Sequence, residues 1–332
     1  MSAAYDFSHE PVLLAQCLDQ LSIRADGIYV DCTLGGGGHS SAILNRLGPG
    51  GRLIAIDKDL AAIEAAGKRL ASVETGGTYT LVHRDFADLD EVLVSLDIDK
   101  VDGILADLGV SSPQLDQAER GFGYSNEGPL DMRMNQTAML TAEMVVNAYP
   151  EAELTRILRD YGEERYAGRI SRAIVMRREA KPIRTTTELA EIVRGAMPGQ
   201  GLKEAQHPAR RTFQAIRIEV NGELSSVERM LAIAPGLLKP SGRLCVITFH
   251  SLEDRLVKEA FRKYESPCVC PREFPVCRCG LKPIGRSLIR KGSIADEAES
   301  RRNPRARSAR LRCFVMNSTP ETDQYTQLLQ KD

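Results

Sequence analysis

The stretch DCTLGGGGHS (residues 31–40) links a predicted buried strand to a predicted helix and carries four consecutive glycines. Glycine allows the backbone to turn tightly and to approach a ligand without interference from a Cβ atom. The backbone amides at the start of the following helix can also face the oxygens of a ligand. A glycine-rich loop alone is weak evidence, because many such loops are only turns, and its meaning depends on the sequence around it.

Predicted strands and helices alternate on both sides of this loop. Runs rich in β-branched residues predict strands at GIYVDCT (27–33), RLIAID (52–57), TYTLVHRD (78–85) and DGILADLGV (102–110). Amphipathic segments between them predict helices, and strands that alternate with helices form a parallel sheet with right-handed crossovers. The first third of the chain therefore predicts an α/β fold of the Rossmann-like type.

The alternation stops after Val110. Residues 111–135 are rich in Gly, Ser, Pro and Asp and predict a long ordered loop. Residues 141–196 then show helical periodicity without strand signals, and a further long helix is predicted over 212–234. This middle segment is consistent with a helical insertion into the α/β domain.

The α/β pattern returns in the last third of the chain. A turn is predicted at KPSG (239–242), followed by a strand at RLCVITF (243–249), and CFVM (313–316) could close the sheet edge. The predicted domains are a discontinuous α/β domain of residues 1–113 and 212–332 and a helical insertion of residues 114–211.

Three of the predicted strands carry an aspartate at or near their carboxyl ends: Asp31, Asp57 and Asp107. Asp57 comes 20 positions after Gly37, where an acidic residue binds ribose hydroxyls in nucleotide-binding α/β sheets. Ligands of open α/β sheets bind at the carboxyl edge of the strands. Each aspartate alone could be a helix cap or a turn residue, but all three at one edge predict a ligand site.

The residues around the glycines indicate which nucleotide the site takes. A dinucleotide site would carry G-x-G-x-x-G, but Ser40 occupies the third glycine position. Asp31 precedes the glycines and would repel a pyrophosphate, whereas it suits the cationic amino group or the sulfonium neighbourhood of S-adenosylmethionine. The helix, Pro-Ser-Gly turn and strand of LLKPSGRLCVITF (237–249) also recur near the end of methyltransferase domains that use this cofactor.

The chain resembles one known family, the small-subunit ribosomal RNA cytosine-N4 methyltransferases of the MraW type, from about residue 9 to residue 312. The departures are small: Cys32, Arg210 and Thr248 stand where glycine, threonine and serine are common. The motifs that carry the resemblance are HEPVLL (9–14), DCTLGGGGHS (31–40), AIDKD (55–59), DGILADLGVSSPQLDQAERGFGY (102–124), GPLDMRMN (128–135), YGEERYAGRI (161–170), HPARRTFQAIRIEVNGEL (207–224), ITFHSLEDRLVK (247–258) and NPRARSARLR (303–312).

This resemblance implies a class I S-adenosylmethionine-dependent methyltransferase domain, with a helical insertion that recognises an RNA substrate. The implied reaction is methylation of the exocyclic N4 amine of a cytidine in the decoding region of 16S ribosomal RNA, within the small ribosomal subunit. Phe86 could pack on the adenine or belong to the core, and His39 could be only a helix-start residue. The cofactor contacts that the resemblance implies are Gly37, Gly38, His39, Asp57, Phe86, Asp107 and Gln114.

The implied chemistry requires groups that position a weak nucleophile. The lone pair of the exocyclic amine is delocalised into the ring, so positioning and oriented acceptors must supply much of the rate. Asp107 and the serines that follow it, Ser111 and Ser112, are the predicted acceptors, although two serines before a proline are also typical of a turn. His250 could receive the released proton directly or through water, or could be structural.

The net charge of −1 conceals a segregation of charge along the chain. Residues 85–131 hold twelve acidic and two basic residues, whereas 160–217 hold twelve basic and seven acidic, and 281–313 hold ten basic and three acidic. Two separate basic blocks argue for a polyanionic partner, although charge alone slightly favours faces that are merely solvated. The resemblance implies that the partner is ribosomal RNA, with its target base extruded into the site. The predicted phosphate contacts are Arg165, Arg169, Arg172, Arg177, Arg178, Arg184, Arg210, Arg211, Arg217, Arg301, Arg302, Arg305, Arg307, Arg310 and Arg312.

The tail arginines at 301–312 have no acidic residue among them, so we expect their mutual repulsion to need an anion. Eight cysteines in 332 residues are too few for a disulfide scaffold, and no signal peptide or membrane-length apolar run is visible. We therefore expect a cytoplasmic protein with reduced thiols and no membrane partner.

Four of the cysteines fall within twelve residues: Cys268, Cys270, Cys277 and Cys279. They could bind zinc, or form a loop of unligated thiols. Their C-x-C pairs are tighter than the usual C-x-x-C spacing, which favours unligated thiols, and no metal ligand is predicted.

Two other functions fit parts of the pattern. A DNA cytosine or adenine amino-methyltransferase would share the cofactor site, but the chain lacks the polar-Pro-Pro-aromatic motif of that class. A ribosome-assembly module with a vestigial cofactor fold would not need acidic residues at all three strand ends.

Overall fold

The computed structural model describes residues 11–199, 201, 207–271, 273–274 and 276–317. The first two residues of the HEPVLL motif lie outside this part of the chain. Among the described helices, none combines the length and the apolar composition that crossing a bilayer requires.

The chain forms two compact units. The first consists of the described residues up to Gly109 and from Ser225 onward, and the second is Val110–Leu224. The second unit extends beyond the predicted insertion (114–211) mainly at its end. Helix Arg210–Asn221 accounts for this difference, because its buried apolar side chains belong to the core of the second unit.

A mixed sheet of eight strands forms the centre of the first unit within the described residues. Its order in space is β3-β2-β1-β4-β5-β8-β6, with β7 paired to β8. Strands β1 to β5 are parallel, as predicted, and β8 runs antiparallel to both β5 and β6. The strands in chain order are β1 (Ile28–Asp31), β2 (Arg52–Asp57), β3 (Thr78–His83), β4 (Val101–Asp107), β5 (Leu238–Thr248), β6 (Gly285–Ser287), β7 (Ser293–Ile294) and β8 (Arg310–Met316).

Helices cover both faces of the sheet, so the central strands are apolar on both faces, as a parallel sheet enclosed by helices requires. Residues of α4, α11 and α12 pack on one face and residues of α1, α2 and α3 on the other. The helices of the described chain are α1 (Leu14–Leu21), α2 (Gly38–Leu44), α3 (Leu60–Leu70), α4 (Leu89–Ser95), α5 (Ser112–Asp116), α6 (Ala142–Ala148), α7 (Glu151–Asp160), α8 (Ala167–Ala180), α9 (Thr186–Ala196), α10 (Arg210–Asn221), α11 (Glu223–Leu237), α12 (Ser251–Glu265) and α13 (Glu297–Arg302).

The second unit is built from α5 to α10. Helix α7 packs against both α8 and α10, and α8 also packs against α9. Their apolar faces enclose a separate core around Leu154, Ile157, Ile170, Ile174 and Phe213. The prediction that residues 141–196 are helical is thus confirmed.

Three local predictions are wrong in detail. The predicted turn at 239–242 lies within β5. The pairing of β5 with β4 shifts register between Val101 and Gly103 of β4, and regular pairing resumes at Arg243 of β5. The predicted long helix over 212–234 is two helices, since Gly222 between α10 and α11 adopts a left-handed φ of 58°. The predicted loop over 111–135 begins with the short helix α5.

The predicted strand over 313–316 does not close the sheet. It is the second half of β8, which lies between β5 and β6, so the edge on this side is β6. Strand β6 has the sequence Gly-Arg-Ser, which offers no apolar alternation that a sequence analysis could detect.

Candidate active site

Three aspartates lie at the carboxyl edge of the sheet. Asp31, Asp57 and Asp107 are the last residues of β1, β2 and β4, and β1 is hydrogen-bonded to both of the other strands. The sequence analysis therefore located this edge correctly. The three carboxylates nevertheless differ in surroundings and in what they can do.

Asp57 accepts two backbone hydrogen bonds. Its Oδ2 accepts the amide of Gly35 at 2.8 Å, and its Oδ1 accepts the amide of Asp59 at 2.8 Å. Burial raises the pKa of Asp57 to about 6, against the lowering effect of these two bonds. Each oxygen keeps lone-pair capacity for a further donor, so the carboxylate can both fix the glycine loop and accept a ribose hydroxyl.

Asp31 is part of the interior and has no exposed surface. Its Oδ2 accepts the hydroxyl of Ser40 at 2.7 Å and its Oδ1 accepts the amide of Thr33 at 3.1 Å. Burial raises the pKa of Asp31, and the bond from Ser40 offsets part of that rise. Asp31 thus anchors both ends of the loop, and its proximity to the cationic part of the cofactor stays a prediction.

The glycine loop approaches other parts of the protein closely. A Cβ atom on Gly38 would lie 2.4 Å from Pro11, and one on Gly37, whose φ is 73°, would lie 3.1 Å from Ala66. By contrast, the space beside Gly35 is open except for a backbone oxygen at 3.9 Å. Packing thus requires glycine at 37 and 38, and their contact with the cofactor stays a prediction.

His39 lies behind Asp107. The ring is buried, and its Nε2 is 3.5 Å from Oδ2 of Asp107. Burial acts to lower the pKa of His39, but the carboxylates of Asp107 and Asp31 outweigh it, so the pKa lies above its ordinary value. The raised pKa favours the protonated form of the His39 ring beside the Asp107 carboxylate.

Asp107, like Asp57, is only partly buried, and 24% of its side chain is exposed. Its Oδ1 is buried without a hydrogen-bond partner in the described part of the chain, a condition that is rare outside functional sites. The backbone amide of Asp107 donates to Oγ1 of Thr33 at 2.6 Å. Thr33 thus links the ends of β1 and β4, a role the sequence analysis missed although Thr33 lies within the quoted loop.

Phe86 is half-buried and opens a short 3₁₀-helix directly after β3. Asp85 orients this turn, since its Oδ1 accepts the amide of Ala87 at 2.9 Å and its Oδ2 accepts Nζ of Lys58 at 3.1 Å. Ser226 also donates to this Oδ2, at 3.0 Å. Phe86 lies at the carboxyl edge and also packs against the apolar core, so its predicted contact with an adenine stays a prediction.

His250 caps α12. Its Nδ1 faces the amide of Glu253 at 3.5 Å, and its Nε2 lies 3.0 Å from Oε1 of the same residue. Both ring nitrogens thus contact Glu253, and the role of proton acceptor stays a prediction. The preceding residue, Phe249, was not predicted as a site residue, but it follows β5 at the same edge and would be 3.3 Å from a Cβ on Gly109.

Three predicted site residues belong to the second unit. Ser111 caps α5, and its amide donates to Oε1 of Gln114 at 3.0 Å in a capping box. Ser112 is the first residue of α5, and Gln114 is buried. The two serines therefore begin a short helix and not a turn, and their functional roles remain predictions.

Several of the predicted phosphate contacts serve inside the fold instead. Arg178 donates to two backbone carbonyls at the end of α6, at 2.7 Å each. Arg217 forms a two-point bond with Glu223, and Arg312 does so with Asp254 at 2.7 and 2.9 Å. The expectation that the tail arginines need an external anion is therefore wrong for Arg312, because Asp254 supplies the charge from within the chain.

Other arginines of the tail remain exposed. Arg301, Arg302 and Arg307 lie on α13 and the 3₁₀-helix that follows it. Arg310, the first residue of β8, is opposite Thr248, the last residue of β5, so this segment lies at the carboxyl edge of the sheet. The exposed basic residues of the tail and the three aspartates thus share one edge.

The strand order, the glycine loop after β1 and the acidic residue after β2 define a class I S-adenosylmethionine-dependent methyltransferase. Asp57, Phe86 and Asp107 all lie at this carboxyl edge, and their contacts with the cofactor stay predictions.

The chain belongs to the MraW methylase family, whose model matches residues 6–317. It is 50% identical to the ribosomal RNA small subunit methyltransferase H of Symbiobacterium thermophilum, over 93% of this chain and 96% of that protein. It is 51% identical to the protein of the same name from Lachnospira eligens, over 95% and 99%. A solved O-methyltransferase of Thermotoga maritima aligns at 10% identity, over 93% and 66%, with a TM-score of 0.37, which is too low to argue from.

Proposed function

We propose that this protein transfers a methyl group from S-adenosylmethionine to the exocyclic N4 amine of a cytidine in the decoding region of 16S ribosomal RNA. The names of the relatives support a ribosomal RNA substrate of the small subunit. The observation that carries the proposal is Asp107, a carboxylate at the end of β4 with 24% of its side chain exposed, next to the strand that leads into the glycine loop.

The N4 amine needs help because its lone pair is delocalised into the cytosine ring. The bound cofactor supplies an electrophilic methyl group. Asp107 accepts a hydrogen bond from the amine, which orients the lone pair and favours the positive charge that develops on nitrogen. His39, whose Nε2 lies 3.5 Å from Oδ2 of Asp107, helps to hold that carboxylate in place.

Further groups complete the proposed site. Ser111 and Ser112 follow Asp107 closely in sequence and are proposed as additional acceptors for the amine, and Gln114 as a cofactor contact. Phe249 presents an aromatic ring at the carboxyl edge, where a base extruded from the RNA could stack. His250 is proposed as proton acceptor only if its ring turns away from Glu253.

The proposed partner is 16S ribosomal RNA within the small ribosomal subunit, in the cytoplasm. In the first unit, the exposed Arg301, Arg302 and Arg307 would contact phosphates. In the second unit, the insertion that we propose to recognise RNA has exposed arginines on α8 and near it, at Arg165, Arg169, Arg172 and Arg184.

Labelled methyl transfer tests the proposal directly. The protein is incubated with labelled S-adenosylmethionine and, in parallel, with small ribosomal subunits, naked 16S RNA and DNA. We expect label in 16S RNA in at least one of the first two samples and none in DNA. Label in DNA alone would identify a DNA amino-methyltransferase, and transfer to none of them would favour an assembly module.

A further inference from the structure

The segment between α12 and β6 forms a closed loop. It runs from Ser266 to Ile284 and contains no helix or strand among its described residues. Its ends are tied together, because the amide of Ile284 donates to the backbone oxygen of Tyr264 at 3.1 Å. Tyr264 and Ile284 are both buried in the core, so the loop leaves and re-enters the fold at fixed points.

Apolar packing cannot order the loop between these points. Among its described residues, Pro267 is buried, but none of those between Pro267 and Ile284 is. Three apolar side chains, Val269, Phe274 and Val276, are instead 46–70% exposed. Segments that lack a core of their own are commonly held by covalent cross-links or by metal ions.

The four cysteines of the loop converge. The Sγ atoms of Cys268, Cys270, Cys277 and Cys279 all lie within 4.8 Å of one another. The Sγ atom of Cys277 lies 3.4, 3.9 and 3.3 Å from those of Cys268, Cys270 and Cys279. Disulfide sulfurs would be about 2.05 Å apart and would form two pairs, whereas here one sulfur is close to all three others.

These separations match the demands of a single tetrahedral ion. With Zn–S bonds of about 2.3 Å, the sulfur atoms around zinc are about 3.8 Å apart. The tight C-x-C spacing is therefore no obstacle, since Cys277 and Cys279 already direct their sulfurs to one point, 3.3 Å apart. The backbone amide of Arg278 also donates to Sγ of Cys270 at 3.2 Å, as groups around a metal site commonly do to its ligands.

We propose that Cys268, Cys270, Cys277 and Cys279 bind one zinc ion that fixes this loop. Four soft sulfur ligands in a tetrahedral arrangement favour zinc over hard cations such as magnesium. With four protein ligands and no open position, the site is structural and not catalytic.

The position of the loop agrees with a structural role. Helix α12 begins after the carboxyl end of β5 and runs back across the sheet, and Gly285 at the start of β6 pairs with Met316 at the end of β8. The loop therefore lies at the amino edge of the sheet, opposite the cofactor edge. We expect loss of zinc to loosen the loop and to leave the affinity for S-adenosylmethionine within about twofold.

Metal analysis of the untagged full-length protein, grown with added zinc and dialysed against a weak chelator, tests the site. We expect about one zinc ion per chain, with an X-ray absorption spectrum that reports four sulfur neighbours at about 2.3 Å. Iron in place of zinc, oxygen or nitrogen neighbours, a metal-free protein, or a mass that reports two disulfides would each overturn the proposal.

Two variants assign the zinc to these residues. Cys277→Ser should lose the zinc and make the bond after Arg278 easier for trypsin to cleave, whereas Cys17→Ala removes a thiol elsewhere in the chain and should retain the zinc. If Cys277→Ser keeps a full equivalent of zinc, the proposal fails. The absorption spectrum of the unmodified protein decides the question independently if the serine variant does not fold.

Discussion

Asp57 combines two tasks in one carboxylate. It fixes the glycine loop through the amide of Gly35. Its burial raises the pKa to about 6, so the ionised carboxylate is disfavoured until a further hydrogen-bond donor binds to it. A ribose hydroxyl would supply that donor. A hydrogen bond to the charged form of the carboxyl is worth about 1.5–3 kcal/mol.

The affinity for the cofactor should therefore depend on pH through Asp57. Below pH 6 the carboxyl is protonated and loses its charge-assisted bond, so we expect the affinity to fall by up to about tenfold per pH unit. Calorimetry between about pH 5 and pH 8 measures this. An affinity that is flat across the interval would contradict the ribose role.

Stability of the cofactor-free protein should show the opposite trend. The folded-state pKa of about 6 lies above the unfolded value near 3.9, so the folded state binds the proton more tightly. The free energy of unfolding contributed by Asp57 therefore falls as the pH rises from about 4 to about 6. Comparing Asp57→Asn with the parent by denaturant unfolding at both ends of this range isolates the effect, and the variant should lack it.

Asp107 should matter for turnover more than for folding. Asp107→Asn keeps an amide oxygen that can accept a hydrogen bond but removes the negative charge that favours the cation developing on the amine, so it should lower turnover at saturating cofactor by about a hundredfold or more. Ser112→Ala should also lower turnover, by less, and both variants should unfold at nearly the parent temperature. Wild-type rates in both would show that the amine is bound elsewhere.

The aspartates at the strand ends could be predicted from the sequence, but the different role of each aspartate could not. Asp57 and Asp107 follow from the rule that ligands bind at the carboxyl edge of a parallel sheet. That Asp31 is fully buried and serves Ser40 and Thr33 depends on side-chain packing within the loop, for which the sequence carries no periodic signal.

At the scale of elements, strands that contain runs of β-branched residues were predicted well. Strands that form mainly because they pair with a neighbouring strand were not predicted. Strand β2 has the predicted bounds of 52–57. Strand β6 exists because three polar residues pair with β8, and the break between α10 and α11 depends on the left-handed conformation of Gly222. Both features arise from tertiary contacts or single backbone angles, which a pattern of apolar residues does not encode.

The exposed arginines of the tail should contribute to RNA binding because they lie at the carboxyl edge of the sheet, the edge that carries the cofactor site. Arg302→Ala with Arg307→Ala should weaken RNA binding and flatten its dependence on salt. The slope of log affinity against log salt should fall by about 0.7–0.9 for each phosphate that the variant no longer neutralises. A filter-binding titration on one RNA at several salt concentrations measures the slope.

A matched pair of arginines provides the control. Arg46 follows α2 and Arg262 is in the last turn of α12, so both are exposed at the amino edge, away from the cofactor. Replacing these two removes the same charge and should leave the slope unchanged. Equal effects of the two double variants would mean that net charge, and not this segment, governs binding.

Variants of His250, the N-cap residue of α12, distinguish a role in helix stability from a role as proton acceptor. His250→Ala should lower the free energy of unfolding by about 1 kcal/mol through loss of the N-cap. His250→Asn restores a good capping residue and should recover that stability. If the asparagine variant is stable but its turnover falls steeply, His250 acts on the proton as well as on the helix.

At the scale of the whole molecule, the discontinuous domain was readable because the strand pattern stopped after β4 and returned with β5. Its second boundary was misplaced because α10 is amphipathic. The pattern of apolar residues in an amphipathic helix does not indicate in which of two cores its apolar face is buried.

The acidic stretch 85–131 includes β4 and its end at the cofactor edge, whereas the basic blocks come from the second unit and the tail. This distribution suits a protein that binds a polyanion while keeping phosphates out of its cofactor site.

Identification of the methylated nucleoside tests the central claim most directly. Small ribosomal subunits that lack the modification are treated with the protein and S-adenosylmethionine, and the 16S RNA is digested and analysed by mass spectrometry. We predict N4-methylcytidine as the product, formed by the parent protein and lost in Asp107→Asn. A methyl group on a ring carbon, on a ribose or on another base would contradict the account.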